Sequence, residues 1–293
     1  MDVHLLDGTY ELFRHFYGVP RGDDGEPPPM GAVIGVLGTV LRMFEEGATH
    51  LGVATDHVVE SFRNHLWPGY KTGEGIDPVL FAQFHPLEQA LEAMGVAVWA
   101  MTDLEADDAL ASAAVRASAD PKVERVWVCT PDKDLGQVVD GTRVVQLDRR
   151  TQTVIDADGV RAKFGVAPAS IPDYLALVGD SADGFPGLPG WGAKSTAAVL
   201  ARYEHLEAIP LDVADWDIEL RGAARLASTL AERLDDALLF RDLATLRTTA
   251  EVLEDVEAIR WRGPTEAFEA WTIALEAPQL LERAQALAAR VGG

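Results

Sequence analysis

Three carboxylates, those of Glu105, Asp107 and Asp108, lie in the stretch LEADDALA at residues 104–111. Such crowding suits either cation binding or helix capping. Glu105 and Asp108 share a helical face, whereas Asp107 points elsewhere unless the first turn is distorted or begins late. The capping interpretation rests on Thr102, because Thr102-x-x-Glu105 fits a capping box and acids are favourable at the positive end of a helix. Taken alone, the stretch favours capping.

Other acids lie at the ends of apolar runs that indicate β-strands. The runs at residues 3–7 and 50–56 end in Asp7 and Asp56, and the run at residues 96–101 leads into LEADDALA. Because the carboxyl ends of parallel strands meet at one edge of a sheet, we expect these acids to converge. Converging carboxylates repel one another and take up protons unless cations neutralise them, so the pattern predicts bound metal.

A fourth apolar run begins at Arg125, and its exit carries Asp132 and Asp134. With acids at four consecutive strand exits, chance placement is a poor explanation even in an acidic chain. A ligand shell made only of oxygen favours Mg²⁺ or Mn²⁺ over zinc. A fifth strand is expected at residues 143–148. Strands that alternate with helices predict an α/β fold with a mostly parallel sheet.

Beyond Asp148 the pattern becomes helical, and residues 176–200 are the informative segment. Asp180 and Asp183 add two carboxylates. A glycine-rich turn then leads into a helix that carries Lys194 and Ser195; its glycines are Gly187, Gly190 and Gly192. Such a turn can hold a phosphodiester through backbone N–H groups. An ordinary connection between two helices fits it equally well.

Residues 61–75 contain Arg63, Tyr70 and Lys71 among glycine and proline. By composition alone, this segment fits a solvated loop as well as a phosphate-contacting one. Residues 20–29 are dense in proline, glycine and charge, and we expect a surface loop there.

Composition limits the classes of function. The chain has 293 residues, 48% of them hydrophobic, which is enough for a substantial core. One cysteine allows no intrachain disulfide, and the sequence shows neither a signal peptide nor a membrane span, so we expect a cytoplasmic protein. The formal charge of −22 disfavours generic nucleic-acid binding, because the overall field repels polyanions.

In combination, these motifs resemble the bacterial and phage 5′ nuclease family, which includes flap endonucleases and the 5′-nuclease domain of DNA polymerase I. The resemblance runs over residues 3–248, and several separated motifs in the same order are more specific than any one. The motifs are LLDG at 5–8, SFRNHLWPGYK at 61–71, LEADDALA at 104–111, TPDKDL at 130–135 and GDSADGFPGLPGWGAKS at 179–195.

The resemblance implies a PIN-like, mostly parallel sheet flanked by helices, followed by a helical helix-3-turn-helix subdomain. It places the PIN-like nuclease core at residues 1–165, with an arch-like segment at about 61–90. The helical region would then occupy residues 166–293, with the helix-3-turn-helix motif at about 175–203.

The resemblance also implies a two-metal site, with two Mg²⁺ or Mn²⁺ ions roughly 4 Å apart that clamp the scissile phosphate. One cluster of ligands would be Asp7, Asp56, Glu105, Asp107 and Asp108, and the second Asp132, Asp134, Asp180 and Asp183. By the same resemblance, the catalytic cations are Arg14, Arg63 and Lys71. DNA would contact Tyr70, Gly187, Gly190, Gly192, Lys194 and Ser195, with K⁺ at the glycine turn.

The chain departs from the family pattern at several positions, which bear on affinity for DNA rather than on the metal site. Glu74 stands where relatives commonly have arginine, and Ala197 and Ala198 stand where basic residues often continue the DNA-facing helix. Gly184 replaces a usual asparagine, Gly136 a common aromatic residue and Trp191 a smaller aliphatic one.

We therefore expect a monomeric, metal-dependent, structure-selective 5′ nuclease that acts on DNA with 5′ ends, flaps or branches. In a bacterium it would associate with the nucleoid. Membrane binding is not expected, and the sequence identifies no protein partner. One alternative is a catalytically weak or inactive protein that binds DNA junctions on the same fold. Another is an RNA-directed PIN-like nuclease.

Overall fold

Residues 1–18 and 27–291 are described by the structure, which is a computed structural model. The loop expected at residues 20–29 therefore lies mostly outside the described residues. The chain passes between two units more than once. Unit 1 comprises Met1–Val59, Gly73–Thr130 and Thr248–Gly293, and unit 2 comprises Glu60–Thr72 and Pro131–Arg247. The division predicted between residues 165 and 166 follows the sequence rather than these units and stays a prediction.

Unit 1 is organised around four parallel strands in the order β3-β2-β1-β4. The strands are β1 (Asp2–Asp7), β2 (His50–Asp56), β3 (Ala97–Met101) and β4 (Arg125–Cys129). Most residues of the two central strands, β1 and β2, are buried, as expected for a parallel sheet that helices cover on both faces. In the register, Leu6 lies opposite both Val53 and Cys129, so the strand ends line up at one edge.

Unit 2 contains an antiparallel pair of strands, β5 (Val144–Asp148) and β6 (Thr153–Ile155). The expected fifth strand is present, whereas β6 was not expected because its three residues are too short for a recognisable pattern.

The helices complete both units. In chain order they are α1 (Gly8–Gly18), α2 (Gly31–Glu45), α3 (Arg63–Leu66), α4 (Pro78–Phe81), α5 (Phe84–Ala93), α6 (Ala106–Ala119), α7 (Ala157–Phe164), α8 (Ile171–Val178), α9 (Ala193–Tyr203), α10 (Ala223–Glu232), α11 (Leu234–Ala244), α12 (Ala267–Ala274) and α13 (Pro278–Val291). Short 3₁₀ helices occupy Asp134–Val138, Pro168–Ser170, Leu206–Ala208, Val213–Asp215 and Val256–Ile259. None of the described helices is both long and apolar enough to cross a membrane.

The core of unit 2 explains how its glycine-rich segment is held. Helices α8 and α11 pack against each other, and Phe185 of the segment between α8 and α9 stacks on Phe240 of α11 at 5.7 Å. Trp191, in the same segment, is also buried in this core. The predicted mostly parallel α/β architecture with a helical region in the second half of the chain is confirmed.

Candidate metal centre

Three carboxylates of unit 2 form a group that could hold a metal ion. One oxygen from each of Asp134, Asp180 and Asp183 lies within 4.8 Å of the others, and all three residues are buried. Among the residues that the structure describes, this is the one group of three or more such side chains with ligand atoms this close together.

The electrostatics of the group favour a cation. Burial, together with the carboxylates of Asp132 and Asp183, raises the pKa of Asp134 well above its usual value. Oδ1 of Asp134 is buried and has no hydrogen-bond partner among the described residues. A buried carboxylate oxygen without a donor is costly to ionise, and a hard cation with oxygen ligands relieves that cost.

Two lysines supply part of the positive charge that the group requires. Nζ of Lys133 forms an ion pair with Oδ2 of Asp180 and lies 3.6 Å from Oδ1 of Asp134. Nζ of Lys71 lies 3.0 Å from Oδ1 of Asp183. Burial lowers the pKa of Lys133, but the carboxylates of Asp134 and Asp180 outweigh it, so the pKa is raised overall.

Lys133 was absent from the predicted site residues. Its signal in the sequence was the position between two acids in TPDKDL, which indicates a cation near the site but not which carboxylate it meets. The tertiary structure shows that it meets Asp180, a residue distant in sequence.

The loop before Lys71 is placed by close backbone packing within unit 2. The backbone N–H of Lys71 donates to the carbonyl of Asp183 at 3.0 Å, and Trp67 Nε1 donates to the carbonyl of Gly184 at 3.0 Å. Gly184 has φ +84°, and a Cβ there would lie 2.0 Å from the carbonyl oxygen of Gly69. The replacement of a usual asparagine by glycine at this position therefore has a steric reason in this chain.

The backbone around the acids also sets their positions. The Asp134 N–H donates to Oδ1 of Asp132 at 2.9 Å, and the Asp132 carbonyl accepts a hydrogen bond from Gln146. Asp132 itself is exposed, so it lies at the rim of the group. Oδ1 of Asp180 accepts from the Ala182 N–H at 3.0 Å, which closes the turn that carries Asp183.

In unit 1, Asp7 and Asp56 occupy the ends of β1 and β2 and are engaged with the fold. Oδ1 of Asp7 accepts from the Tyr10 N–H at 2.8 Å, and Oδ2 accepts from the Thr130 hydroxyl at 2.9 Å. Oδ1 of Asp56 accepts from the Ala106 N–H at 2.8 Å. These acids therefore stabilise the starts of α1 and α6. Their predicted role as metal ligands stays a prediction.

Helix α6 begins three residues later than the capping box Thr102-x-x-Glu105 would require. Its N-cap is Glu105, and Asp108 closes the box, because Oδ2 of Asp108 accepts from the Glu105 N–H at 3.0 Å. The Thr102 capping interpretation is therefore wrong. Asp108 is fully buried, whereas Asp107 is partly exposed. Of these two neighbours, Asp107 has the more accessible carboxylate.

Two predicted phosphate contacts fall on buried side chains. Arg63 is 1% exposed, and its guanidinium donates to the carbonyls of Leu243 and Thr245 at 2.8 and 3.1 Å. Tyr70 is 4% exposed and belongs to the core of unit 2. Neither placement supports a direct contact with DNA, because both side chains are enclosed by protein. The sequence showed a polar, glycine-rich segment but not this burial.

The third predicted cation, Arg14, lies in unit 1 and is tied to a buried acid. Its guanidinium forms an ion pair with Glu11, and Nη2 lies 3.4 Å from the Thr39 hydroxyl. The side chain is 28% exposed, so a contact with phosphate stays a prediction.

The predicted glycine turn is a tightly packed corner between α8 and α9. Gly187 has φ +66°, and a Cβ there would lie 2.4–2.6 Å from backbone atoms of residues 177–179, so only glycine fits. Gly190 has φ +88° and leads to Gly192, the N-cap of α9. The Ser195 hydroxyl accepts from the Gly192 N–H, and Lys194 is exposed. Contacts between this turn and DNA stay a prediction.

Comparison with known proteins gives matches along most of the chain. A family model described as 5′-3′ exonuclease, N-terminal resolvase-like domain, matches residues 2–165. A second model, described as 5′-3′ exonuclease, C-terminal SAM fold, matches residues 166–267.

DNA polymerase I of Pseudomonas aeruginosa is 34% identical over 263 residues, which cover 86% of this chain but 28% of that protein. The chain thus spans less than a third of the polymerase relatives that it matches. The 5′-3′ exonuclease of Aquifex aeolicus is 32% identical over 210 residues, which cover 71% of each chain.

Among solved structures, a flap endonuclease of bacteriophage T5 is similar to this chain. It was crystallised as a pseudo-enzyme–product complex with DNA and metal ions. The TM-score is 0.67 at 15% identity, and the match covers 98% of both chains. At this identity the similarity establishes the fold.

Proposed function

The chain belongs to the 5′-3′ exonuclease family, and on that basis we propose that it is a divalent-metal-dependent nuclease that hydrolyses DNA phosphodiesters. The substrates that we propose are DNA molecules with 5′ ends, flaps or branches. The observation that carries the proposal is the buried group of Asp134, Asp180 and Asp183. A chain that kept only the fold would gain nothing from three carboxylates buried together, because their repulsion destabilises it.

The donor set fits a hard divalent cation. Three carboxylate oxygens within 4.8 Å and an unpartnered Oδ1 on Asp134 provide oxygen ligands, and neither histidine nor cysteine belongs to the group. We therefore propose Mg²⁺ or Mn²⁺, with Asp134, Asp180 and Asp183 as ligands of one of two ions. Bound divalent ions supply the positive charge that activates water and polarises the scissile phosphate.

The lysines have a further role in this proposal. Nζ of Lys71 and Nζ of Lys133 are both paired with ligand carboxylates, and each side chain is about one-third exposed. With a divalent ion bound to the carboxylates, each ammonium group would be able to turn towards a phosphate oxygen and stabilise the charge that develops there. Burial of the acids keeps their orientation fixed during this exchange of partners.

The test is cleavage of a panel of 5′-labelled DNAs, namely a single strand, a duplex, a recessed end and a 5′ flap, with Mg²⁺ or Mn²⁺. We expect products from the flap or recessed end and their loss on chelation. Asp134→Asn should lower the rate by at least about 100-fold, because it removes one charged metal ligand without changing side-chain volume. Asp158→Asn is the matched control, since the Asp158 carboxylate is 93% exposed.

Undiminished cleavage by Asp134→Asn would contradict the proposed mechanism. Binding of the flap without any product would instead favour the alternative of an inactive DNA-junction-binding protein. The RNA version of the same flap separates the RNA-directed alternative, because the proposal predicts faster cleavage of DNA. A monomeric state, and K⁺ at the turn of Gly187 and Gly190, are further parts of the proposal. They are tested by sedimentation and by exchanging K⁺ for Na⁺ during DNA binding.

A further inference from the structure

We infer that Arg225, at the start of α10, is a DNA-backbone contact that acts together with the glycine turn before α9. The inference rests on the proposed function for the identity of the ligand, a phosphodiester of duplex DNA. Its evidence is the position of Arg225 against the turn and the lack of an ion pair to its guanidinium group among the described residues.

Arg225 lies against the turn. A Cβ added to Gly190 would lie 3.7 Å from Nε, 3.9 Å from Cζ and 4.0 Å from Nη2 of Arg225. The guanidinium group therefore flanks the exposed backbone of Gly190, which is two residues before the N-cap of α9. A phosphate that approaches the turn meets this cation at contact distance.

Most arginines near the acids of unit 2 are already paired. Five of them form ion pairs with an aspartate: Arg161 with Asp158, Arg202 with Asp217, Arg233 with Asp236, Arg241 with Asp173 and Arg247 with Asp242. Arg225 is exposed and is in no ion pair among the residues that the structure describes. The guanidinium group of Arg225 is therefore available to a phosphate at the glycine turn.

The position of Arg225 does not serve its own helix. It is the third residue of α10, where the helix dipole is positive and a cation is unfavourable. Neither helix stability nor an ion pair explains it. An anion bound between Arg225 and the turn would offset the unfavourable interaction between the arginine and the positive end of the helix dipole.

Arg225 also supplies a charge that α9 lacks. After Lys194, α9 continues with Ala197 and Ala198, so the helix that follows the turn carries one cation at its start. A phosphodiester backbone presents charges in series, and a second cation on α10 lets the turn engage the strand from two helices. Because these contacts carry no base information, the site is selective for DNA backbone and not for sequence.

The test measures binding of a fluorescent duplex with a 5′ flap to the full chain by anisotropy, over a series of KCl concentrations. Asp134→Asn serves as the background, so that no DNA is cleaved. We expect Arg225→Gln to reduce the slope of log K against log salt by about 0.9. If parent and variant bind equally well when extrapolated to 1 M salt, this change in slope makes the variant bind about eightfold more weakly at 0.1 M salt. Arg225→Lys should retain most of the slope, because it keeps the charge.

Arg233→Gln is the matched control, since it removes an arginine at the other end of α10 that is paired with Asp236. It should leave the slope unchanged, and thermal melting should show that all variants are folded. An unchanged slope for Arg225→Gln, equal slopes for Arg225→Gln and Arg233→Gln, or no binding by the parent would each overturn the inference.

Cleavage assays on the corresponding variants with Asp134 intact separate this inference from the proposed function. Arg225→Gln should raise KM and leave kcat unchanged. If the protein cleaves DNA but the slope does not change, the inference fails and the function stands. If the slope changes but nothing is cleaved, the inference stands and the proposed nuclease activity fails.

Discussion

Asp134 shows how one residue can link stability to ligand binding. It is 6% exposed and lies beside the carboxylates of Asp132 and Asp183, and its pKa is raised by burial and by those neighbours. In the folded chain it therefore holds its proton over a pH range in which the unfolded chain has already lost it. Because the folded state binds more protons there, stability must fall as pH rises through that range.

We therefore predict that, without divalent metal, the free energy of unfolding of Asp134→Asn falls less than that of the parent as pH rises. The range runs from the unfolded pKa of an aspartate, about 4, to the raised folded value. The difference in unfolding free energy between the parent and Asp134→Asn should grow as pH increases, in favour of the variant. Urea unfolding in chelator at several pH values measures it. Asp158→Asn, on an exposed side chain, is the control variant. A constant difference for Asp134→Asn would contradict the assignment.

Trp191 and Trp216 are neighbouring residues that differ in hydrogen bonding. Their rings are 6.4 Å apart in the core of unit 2. Nε1 of Trp216 donates to the carbonyl of Pro210 at 2.7 Å, whereas the buried Nε1 of Trp191 has no partner among the described residues. An unpaired buried donor costs about 1–3 kcal/mol.

We predict that Trp216→Phe destabilises the protein more than Trp191→Phe does, by about 1 kcal/mol, although Trp191 is the more buried residue. Both changes remove similar volume, but only Trp216→Phe breaks a hydrogen bond, and Trp191→Phe removes a donor that has none. Urea denaturation followed by far-UV circular dichroism measures both variants. The opposite ranking would show that lost packing dominates.

At the scale of elements, the segment between α8 and α9 carries Asp180 and Asp183 at its start and the glycine turn at its end. The backbones of Gly179 and Gly187 pack against each other. A Cβ on Gly179 would lie 2.5–2.7 Å from backbone atoms of Pro186 and Gly187, and a Cβ on Gly187 would lie 2.4–2.6 Å from backbone atoms of residues 177–179. Gly184 packs in the same way on Gly69, next to Lys71. This segment therefore fixes Asp180 together with Asp183, the partner of Lys71.

The packing of Gly184 is tested against Gly222, which has nearly the same backbone conformation but open space around it. Their φ values are +84° and +82°, and a Cβ on Gly222 would have nothing within 4 Å. Gly222→Ala should cost about 1 kcal/mol from backbone strain alone. Gly184→Ala should cost about 1–3 kcal/mol more, because the Cβ meets the Gly69 carbonyl. Chemical denaturation of both variants measures the difference, and equal costs would show that the loop moves aside freely.

Helix α6 is an element with two roles. Glu105 and Asp108 close its capping box, and Asp56 accepts from its first N–H group. The same acids were predicted as metal ligands. Each carboxylate has two oxygens and several lone pairs, so capping and ligation do not exclude each other.

At the scale of the whole molecule, the net charge of −22 repels the proposed DNA substrate, but dissolved salt limits the distance over which this repulsion acts. At 0.1 M salt the Debye length is about 10 Å, so remote acids contribute little to the potential at a given phosphate. Binding of the proposed substrate then depends on local cations, and two of these, Lys71 and Lys133, lie within the predicted motifs. The acidic composition therefore weakens non-specific binding of DNA but does not prevent structure-specific binding.

Sequence patterns were sufficient to predict the strands along the chain, the acids that follow them and the position of the glycine turn. These features are local: apolar runs, turn residues and motif spacing are properties of a few consecutive residues. For the same reason the sequence placed Asp134, Asp180 and Asp183 in informative motifs without giving the distances between them, and their role as metal ligands stays a prediction.

The folded chain was needed to show which acids lie within 4.8 Å of one another and that Lys133 contacts Asp180. It also showed that Arg63 and Tyr70 are buried, that α6 is capped by Glu105 rather than Thr102, and that Arg225 flanks Gly190. The physical reason is that burial, carboxylate repulsion and contact distance depend on packing between residues far apart in sequence. A pattern of consecutive residues records the type of each side chain but not which neighbours surround it.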